Sequence, residues 1–279
     1  VFPKPTSDFD ASPNAGCQPL PVTFTNHSLL AATGFWVITG GPQVDTLSGS
    51  DLAGFDTVFT NSTSLNQVVK AELFVESADG CTAQSSKLIT VSPFVNADFV
   101  QSADSGCSPL AVNFTNLSAP GAASSWFVDG TLVNNSSGQF TYSFTNFTQD
   151  VQIFEVKLLV SNVLNAGCID TAVRYVKVFP KPVAGTLGAV PDNGCSPVNI
   201  SLFSNAIGAT RYQYDFNDGT VLDTTVGSVS HTFVNNASLT TRNYNVQLVV
   251  SNAYGCADNA SKLVSIKPTV TARIASEDT

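Results

Sequence analysis

Gly194-Cys195-Ser196-Pro197-Val198-Asn199-Ile200-Ser201-Leu202 decides how this chain reads, because the same pattern stands twice more upstream. Gly106-Cys107-Ser108-Pro109-Leu110-Ala111-Val112 and Gly16-Cys17-Gln18-Pro19-Leu20-Pro21-Val22 place a glycine, a cysteine, a polar residue and a proline before an apolar residue. From there the apolar residues fall on every second position: Leu20, Val22 and Phe24, then Leu110, Val112 and Phe114. A period of two is the mark of a strand with one buried and one wet face. A second cysteine closes each unit, again after a glycine: Gly80-Cys81, Gly167-Cys168 and Gly255-Cys256. An aromatic residue stands 19 positions after each first cysteine, at Trp36, Trp126 and Tyr214, and is expected in the core.

Both cysteine series recur about every 88 residues, which makes three tandem units where length alone suggests two domains. Working outward, each unit ends on a longer alternating strand: Val69-x-Ala71-x-Leu73-x-Val75, Phe154-x-Val156-x-Leu158-x-Val160, and Tyr244-x-Val246-x-Leu248-x-Val250. No amphipathic stretch has helical period. Short strands, frequent turns and a core aromatic on the third strand predict an all-β chain of three tandem immunoglobulin-like sandwiches, arranged end to end. The expected divisions are 1–93, 94–181 and 182–268, with 269–279 opening a further repeat or serving as an exchanged strand. Val1-Phe2-Pro3-Lys4-Pro5 matches Val178-Phe179-Pro180-Lys181-Pro182, so each last strand runs through proline into the next unit. With no Met in the chain, these residues are expected to be an interior stretch of a longer array.

Six cysteines allow 15 pairings. The repeat favours one bond per unit: Cys17–Cys81, Cys107–Cys168 and Cys195–Cys256. Each would close a loop of roughly 60 residues, worth about 4 kcal/mol in the chain-entropy account. Such bonds persist in oxidising compartments, so an extracellular or cell-surface location is expected.

The third unit carries Tyr214-Asp215-Phe216-Asn217-Asp218-Gly219-Thr220, then His231-Thr232-Phe233, then Val246-Gln247-Leu248-Val249-Val250. This resembles the PKD (polycystic kidney disease) domains, whose hallmark is a Trp-Asp-Phe-Gly-Asp-Gly segment followed by His-x-Tyr and a Val-x-Leu-x-Val strand. The second unit keeps Trp126 and Asp129-Gly130-Thr131, with Tyr142-Ser143-Phe144 for the histidine motif. The first keeps Trp36 and Phe59, with Gly40-Gly41 for Asp-Gly. The Gly-Cys-Ser-Pro-Leu opening is similar to PKD arrays in giant surface adhesins of Bacteroidetes-type bacteria, exported by type IX secretion. The resemblance implies an array of non-catalytic domains.

Composition excludes other classes. Charged residues make up 12% of the chain and the net charge is −9. Phosphate binding needs a Lys/Arg stripe, so no nucleic-acid partner is expected. No apolar run reaches the roughly 18 residues of a membrane-spanning helix. With two histidines, His27 and His231, at non-equivalent positions, no catalytic constellation is assembled, and no enzyme activity is expected. Asp215, Asn217, Asp218 and Asp223 crowd one loop, but their spacing departs from the alternating ligands of an EF-hand. They are calcium candidates against a plain turn-shaping role, and no cofactor is expected.

Nine Asn-x-Ser/Thr sequons are candidate glycan acceptors: Asn26, Asn61, Asn116, Asn134, Asn135, Asn146, Asn199, Asn236 and Asn259. Composition alone gives roughly half that number. Four Asp-Thr segments resemble a bacterial O-glycosylation signal, at Thr46, Thr57, Thr171 and Thr224. The expected partners are neighbouring repeats, further copies in a fibre, and surface glycans. The expected function is a structural and adhesive surface protein that forms rods or filaments. The alternative is a carbohydrate-binding or spacer module of a large secreted enzyme.

Overall fold

The computed structural model describes residues 3–40, 52–118, 122–135, 138–237 and 239–269. Thr46, Gly41 and the segment 270–279 lie outside them. Every named element is a strand. Among the described residues no helix is long and apolar enough to cross a membrane.

The first repeat runs β1 (Phe9–Ser12), β2 (Ala15–Cys17), β3 (Leu20–Asn26), β4 (Thr33–Thr39), β5 (Phe55–Phe59), β6 (Gln67–Glu76) and β7 (Thr82–Ser92). One sheet has the order β1-β3-β5 and the facing sheet β2-β7-β6-β4. The alternation read from the sequence decides which side each strand buries. Leu20, Val22 and Phe24 point in from β3, while Val69, Ala71, Leu73 and Val75 point in from β6. Trp36 fills the middle, with Phe9 edge-on at 4.9 Å and Phe24 at 5.6 Å. Such tilted aromatic contacts add to the area they bury.

The second repeat supplies β8 (Phe99–Gln101), β9 (Ser105–Cys107), β10 (Leu110–Asn116), β11 (Ala122–Val128), β12 (Thr131–Asn134), β13 (Gln139–Phe144), β14 (Gln152–Asn162) and β15 (Asn165–Phe179). The third supplies β16 (Leu187–Val190), β17 (Asn193–Cys195), β18 (Val198–Ser204), β19 (Arg211–Asp215), β20 (Val221–Thr224), β21 (Ser228–Phe233), β22 (Arg242–Ser251) and β23 (Ala257–Lys267). Its sheets, β16-β18-β21 and β17-β23-β22-β19-β20, repeat the first repeat's plan with one strand added. Trp126 and Tyr214 are fully buried at the position of Trp36. Burial pushes the Tyr214 phenol up to about 12, and its hydroxyl donates to Gly227 O at 2.9 Å. The three repeats are tandem immunoglobulin-like sandwiches.

The chain forms two compact units. One comprises Val1–Gln101, Asn113–Phe140 and Glu155–Arg174; the other comprises Ser102–Val112, Thr141–Phe154 and Tyr175–Thr279. Each holds one outer repeat and part of the middle one. In the first unit β11 pairs with β12 and β14. In the second β9 runs parallel to β15.

The disulfides correct the expected pairing. The bonds are Cys17–Cys168 and Cys107–Cys256, and Cys81 and Cys195 are free thiols. No repeat contains an internal bond. The reason is strand geometry. Cys17 on β2 sits in register with Ser92, at the far end of β7, while Cys81 precedes Thr82 at the near end. Ten residues of extended chain separate those ends by roughly 33 Å. A disulfide requires Cα atoms about 4.4–6.8 Å apart. Cys195, opposite Lys267 on β23, and Cys256, just before Ala257, are separated in the same way. The two cysteines of one repeat therefore lie at opposite ends of its sandwich. Each bonded first cysteine meets the second cysteine of the following repeat, 151 or 149 residues onward.

Candidate functional site: the stapled junctions between repeats

The first cysteine of each repeat is held on a short strand parallel to the repeat's last strand. The registers Cys17↔Ser92, Cys107↔Phe179 and Cys195↔Lys267 are equivalent. So are the following amide bonds, from Gln18 N to Ser92 O, Ser108 N to Phe179 O and Ser196 N to Lys267 O, each 3.0 Å. The preceding glycine lets the following strand pack close: a Cβ on Gly16, Gly106 or Gly194 would displace a side-chain methyl of Leu20, Leu110 or Val198, which stands 2.5–2.8 Å away.

Beside this strand lies a buried asparagine that the sequence reading did not recognise. Asn61 Nδ2 donates to Leu65 O and Val91 O, both at 2.7 Å. Asn146 Nδ2 donates to Asp150 O and Val178 O, and Asn235 Nδ2 to Thr240 O and Ile266 O. The backbone N–H of each donates to the residue after the cysteine: Gln18 Oε1, Ser108 Oγ and Ser196 Oγ. One residue thus ties a loop and the last strand through its side chain, and the cysteine turn through its backbone amide. Asn61 is 0% exposed and Asn146 is 7% exposed. Their sequon threonines, Thr63 and Thr148, donate to Asn Oδ1. In the folded chain the amide hydrogens of both asparagines are committed to backbone carbonyls.

In the third repeat the second cysteine sits in a tight turn. Asn252 N donates to Cys256 O, Gly255 N to Asn252 O, and Cys256 N to Asn252 Oδ1, with Gly255 at φ +81°. At the junction of the first and second repeats, Asn162 Nδ2 donates to Pro93 O at 2.9 Å, and Ala97 N donates to Asp170 Oδ2 at 2.8 Å. The junction of the second and third repeats reproduces this atom for atom: Asn252 Nδ2 to Pro180 O at 2.8 Å, and Ala184 N to Asp258 Oδ2 at 3.0 Å. Lys181 adds an ion pair to Asp258 at 2.9 Å, and Phe179 stacks on Tyr254 at 4.9 Å. The Ala184 amide, then the Lys181 ammonium, hold the Asp258 carboxyl below its ordinary value. Each junction therefore combines a disulfide, an asparagine on the linker proline, and an aspartate that holds the backbone just past the linker within the same repeat.

The remaining sequence candidates are dispersed. Asp215 Oδ1 accepts from Asn217 N, Asp223 Oδ1 from Gln213 Nε2, and Asp218 Oδ1 from Thr220 N and Oγ1. Asp218 Oδ2 meets His231 Nε2 at 2.7 Å, and the imidazole stacks on Phe216 at 3.9 Å. Burial works against the Asp218 charge, but the Thr220 and His231 hydrogen bonds outweigh it and hold the carboxyl below its ordinary value. These acids shape a turn through Asx-type bonds. Among the described residues no three His, Cys, Asp or Glu side chains gather in a metal-holding group. His27 lies at the surface, 3.2 Å from Asp10. Asn26 donates to Leu52 O and Asn116 to Ser124 Oγ, whereas Asn135, Asn199, Asn236 and Asn259 are exposed and Asn134 is half-buried. Thr171 is exposed, and Thr57 and Thr224 are half-buried. A cleft of about 900 Å³ on the first repeat is lined by Lys4, Thr33, Glu76, Gln84 and a stacked Phe35–Phe74 pair, 5.0 Å between ring centres.

Fold and junctions together define a tandem array of disulfide-linked immunoglobulin-like sandwiches. A PKD domain model matches residues 180–267. The chain is similar to the titin I-band fragment I67–I69, at 12% identity and a TM-score of 0.52, with 97% of this chain and 100% of that chain covered. It is similar to the ICAM-5 D1–D4 ectodomain fragment, at 8% identity and a TM-score of 0.52, with 93% of this chain and 75% of that chain covered. At such identities the likeness is one of fold. No curated protein matches the sequence.

Proposed function

We propose that the chain is a non-catalytic, load-bearing segment of an extracellular structural or adhesive array on a bacterial cell surface, its repeats acting as spacers in a fibre. The observation that carries this reading is that both disulfides cross from one repeat to the next. A bond inside a domain stabilises that domain alone. A bond across a junction keeps two repeats joined when one of them opens. Cys17–Cys168 bypasses 151 residues, which would otherwise pull out to about 500 Å of extended chain. The titin-like fold is compatible with this role, although fold by itself assigns no function. The oxidised cysteines fit an extracellular location. Antibody labelling and electron microscopy of intact source cells test the proposal. Label on surface fibres of unpermeabilised cells is expected, and label that appears only after permeabilisation overturns it.

One observation favours a second reading as a carbohydrate-binding module. The Phe35–Phe74 stack, with Phe35 45% exposed, gives an apolar platform beside Glu76, Gln84 and Lys4. Calorimetry with a panel of oligosaccharides against the chain and its Phe35→Ala variant decides it. Binding that the variant loses is expected, and heat changes identical in both sink it.

A further inference from the structure

We propose that Cys81 and Cys195 are the two open halves of the same cross-repeat staple, and that each is bonded by the complementary cysteine of a further repeat, in a second copy of this chain or in a flanking stretch of the same polypeptide. The inference deepens the load-bearing reading, but rests on the connectivity of the disulfides and not on where the protein is found.

Three observations carry it. First, the bonded pairs have a fixed polarity. A first-type cysteine, on the strand after glycine, takes a second-type cysteine, at the last hairpin of the following repeat. By that rule Cys195 needs a second-type partner and Cys81 a first-type partner. One copy offers both ends, so copies join head to tail, through a heterologous interface that propagates.

Second, Cys195 already holds the conformation of Cys17 and Cys107, and Cys81 that of Cys256. Cys195 has the register and flanking amide bond of Cys17 and Cys107. Around Cys81, Ser77 N donates to Cys81 O at 2.9 Å and Gly80 N to Ser77 O at 3.0 Å, with Gly80 at φ +80°. These are the bonds and the glycine conformation of the Cys256 turn.

Third, each free cysteine is less covered than its bonded equivalents. Of the second type, Cys168 and Cys256 are 3% and 1% exposed and Cys81 is half-buried; of the first type, Cys17 and Cys107 are half-buried and Cys195 is exposed.

The outer joint differs from the inner ones in a way that matters. Ser77 stands where Asn162 and Asn252 stand, and Ala83 where Asp170 and Asp258 stand. The side-chain bond to the linker proline and the carboxylate on the backbone just past it are absent there. The joint at Cys81 therefore depends on its disulfide, and reductant releases it.

The chemistry is thiol–disulfide exchange with a small-molecule disulfide. The Cys195 thiolate attacks oxidised glutathione and releases one glutathione thiolate. The Cys81 thiolate of the next copy then attacks the protein sulfur of that mixed disulfide and releases the second. Two protein thiols lose two protons and two electrons, and one glutathione disulfide gains them.

The test is oxidation of the folded chain in a glutathione redox buffer, followed by non-reducing electrophoresis and peptide mapping. The expected result is a ladder at multiples of the 29.2 kDa chain, with a Cys81–Cys195 cross-linked peptide. C81S and C195S each stay monomeric alone, and their mixture stops at a dimer. Dimers of C81S through Cys195–Cys195, as abundant as those of the mixture, overturn the proposal by showing unselective oxidation. A second arm separates a second copy from a repeat that follows in the same polypeptide. The chain is lengthened by one more copy of residues 182–269, and native alkylation of Cys195 by N-ethylmaleimide is measured. Loss of alkylation without a ladder keeps the staple and reassigns its source to a flanking repeat. Full alkylation together with no ladder overturns it.

Discussion

Asn235 can be replaced without touching either disulfide, and its replacement measures what the buried asparagine contributes to the end of a repeat. The side chain is 2% exposed, and its amide donates to Thr240 O and Ile266 O at 2.8 Å each, while Oδ1 accepts from Ala237 N at 2.9 Å. Asn235→Ala strands one buried backbone group, Ile266 O, and two part-buried ones, Thr240 O and Ala237 N. At about 1 kcal/mol or more for each, the loss is about 3 kcal/mol, allowing for water reaching the cavity. That corresponds to roughly a hundredfold faster exchange of the third repeat's core amides when they exchange through opening of the whole repeat. Asn235→Asp is the sharper variant, because it keeps shape and the Ala237 bond but aims an acceptor oxygen at two carbonyls. Its folded-state pKa is raised above the ordinary carboxylate value of about 3.9. The sign follows from linkage. Stability is present below the unfolded pKa and falls as pH rises between the unfolded and folded values, by about 1.4 kcal/mol per pH unit. Hydrogen exchange by mass spectrometry, read on peptides from β22 and β23 with first-repeat peptides as internal reference, measures both. An alanine effect below about fivefold, or an aspartate variant whose deficit is flat from pH 4 to pH 7, would refute the assigned role of this side chain.

Replacing Cys107 and Cys256 together by serine opens a loop of 149 residues, and the chain-entropy account gives a loss of about 5 kcal/mol. Denaturant unfolding should show it, and digestion without reductant should yield no Cys107–Cys168 peptide from the unaltered chain. Acid should loosen the second junction. The Asp258 carboxyl is held below its ordinary value, so its contribution is present above the unfolded pKa and is lost as pH falls through the lower, folded one. The Ala184 amide should lose protection below about pH 4, and Asp258→Asn should abolish that dependence. Asp218→Ala should free His231 from the turn and cost about 1 kcal/mol, as for a partly exposed charge-assisted hydrogen bond. A change under a few tenths would leave the pair without structural weight. Tyr214 should resist ionisation until about pH 12, and an ordinary phenolate transition in the absorbance of this residue would contradict its burial.

Much of the fold was legible because its signals are local. The alternation through Leu20, Val22 and Phe24 fixes which face of β3 is buried whatever the strand packs on. The aromatic after each first cysteine is a core residue for the same reason. The site was legible only in part. The cysteine positions and the Gly-Cys-x-Pro pattern were visible, but the asparagine beside them was read as a glycan acceptor. Asn61-x-Thr63 and Asn146-x-Thr148 satisfy the sequon because Asn Oδ1 accepting from Thr N and Oγ1 is itself an Asx turn. A usable signal existed. Asn61, Asn146 and Asn235 stand at the same place in all three repeats, and the third is not a sequon. A glycan signal has no reason to keep that register, whereas a buried hydrogen-bonding node does.

The sequence by itself determined the count of repeats, the strand faces, the core aromatics and the oxidising chemistry, since each depends on residues near one another in the chain. Tertiary structure decided which sulfur meets which. A period of about 88 residues says that cysteines recur, but not at which end of a sandwich each one lies. That end is set by the parallel pairing of β2 with β7 and of β17 with β23, which puts the two cysteines of a repeat a full strand length apart. Once the repeats dock, the shortest path between sulfurs runs across the junction, and the staple belongs to the array.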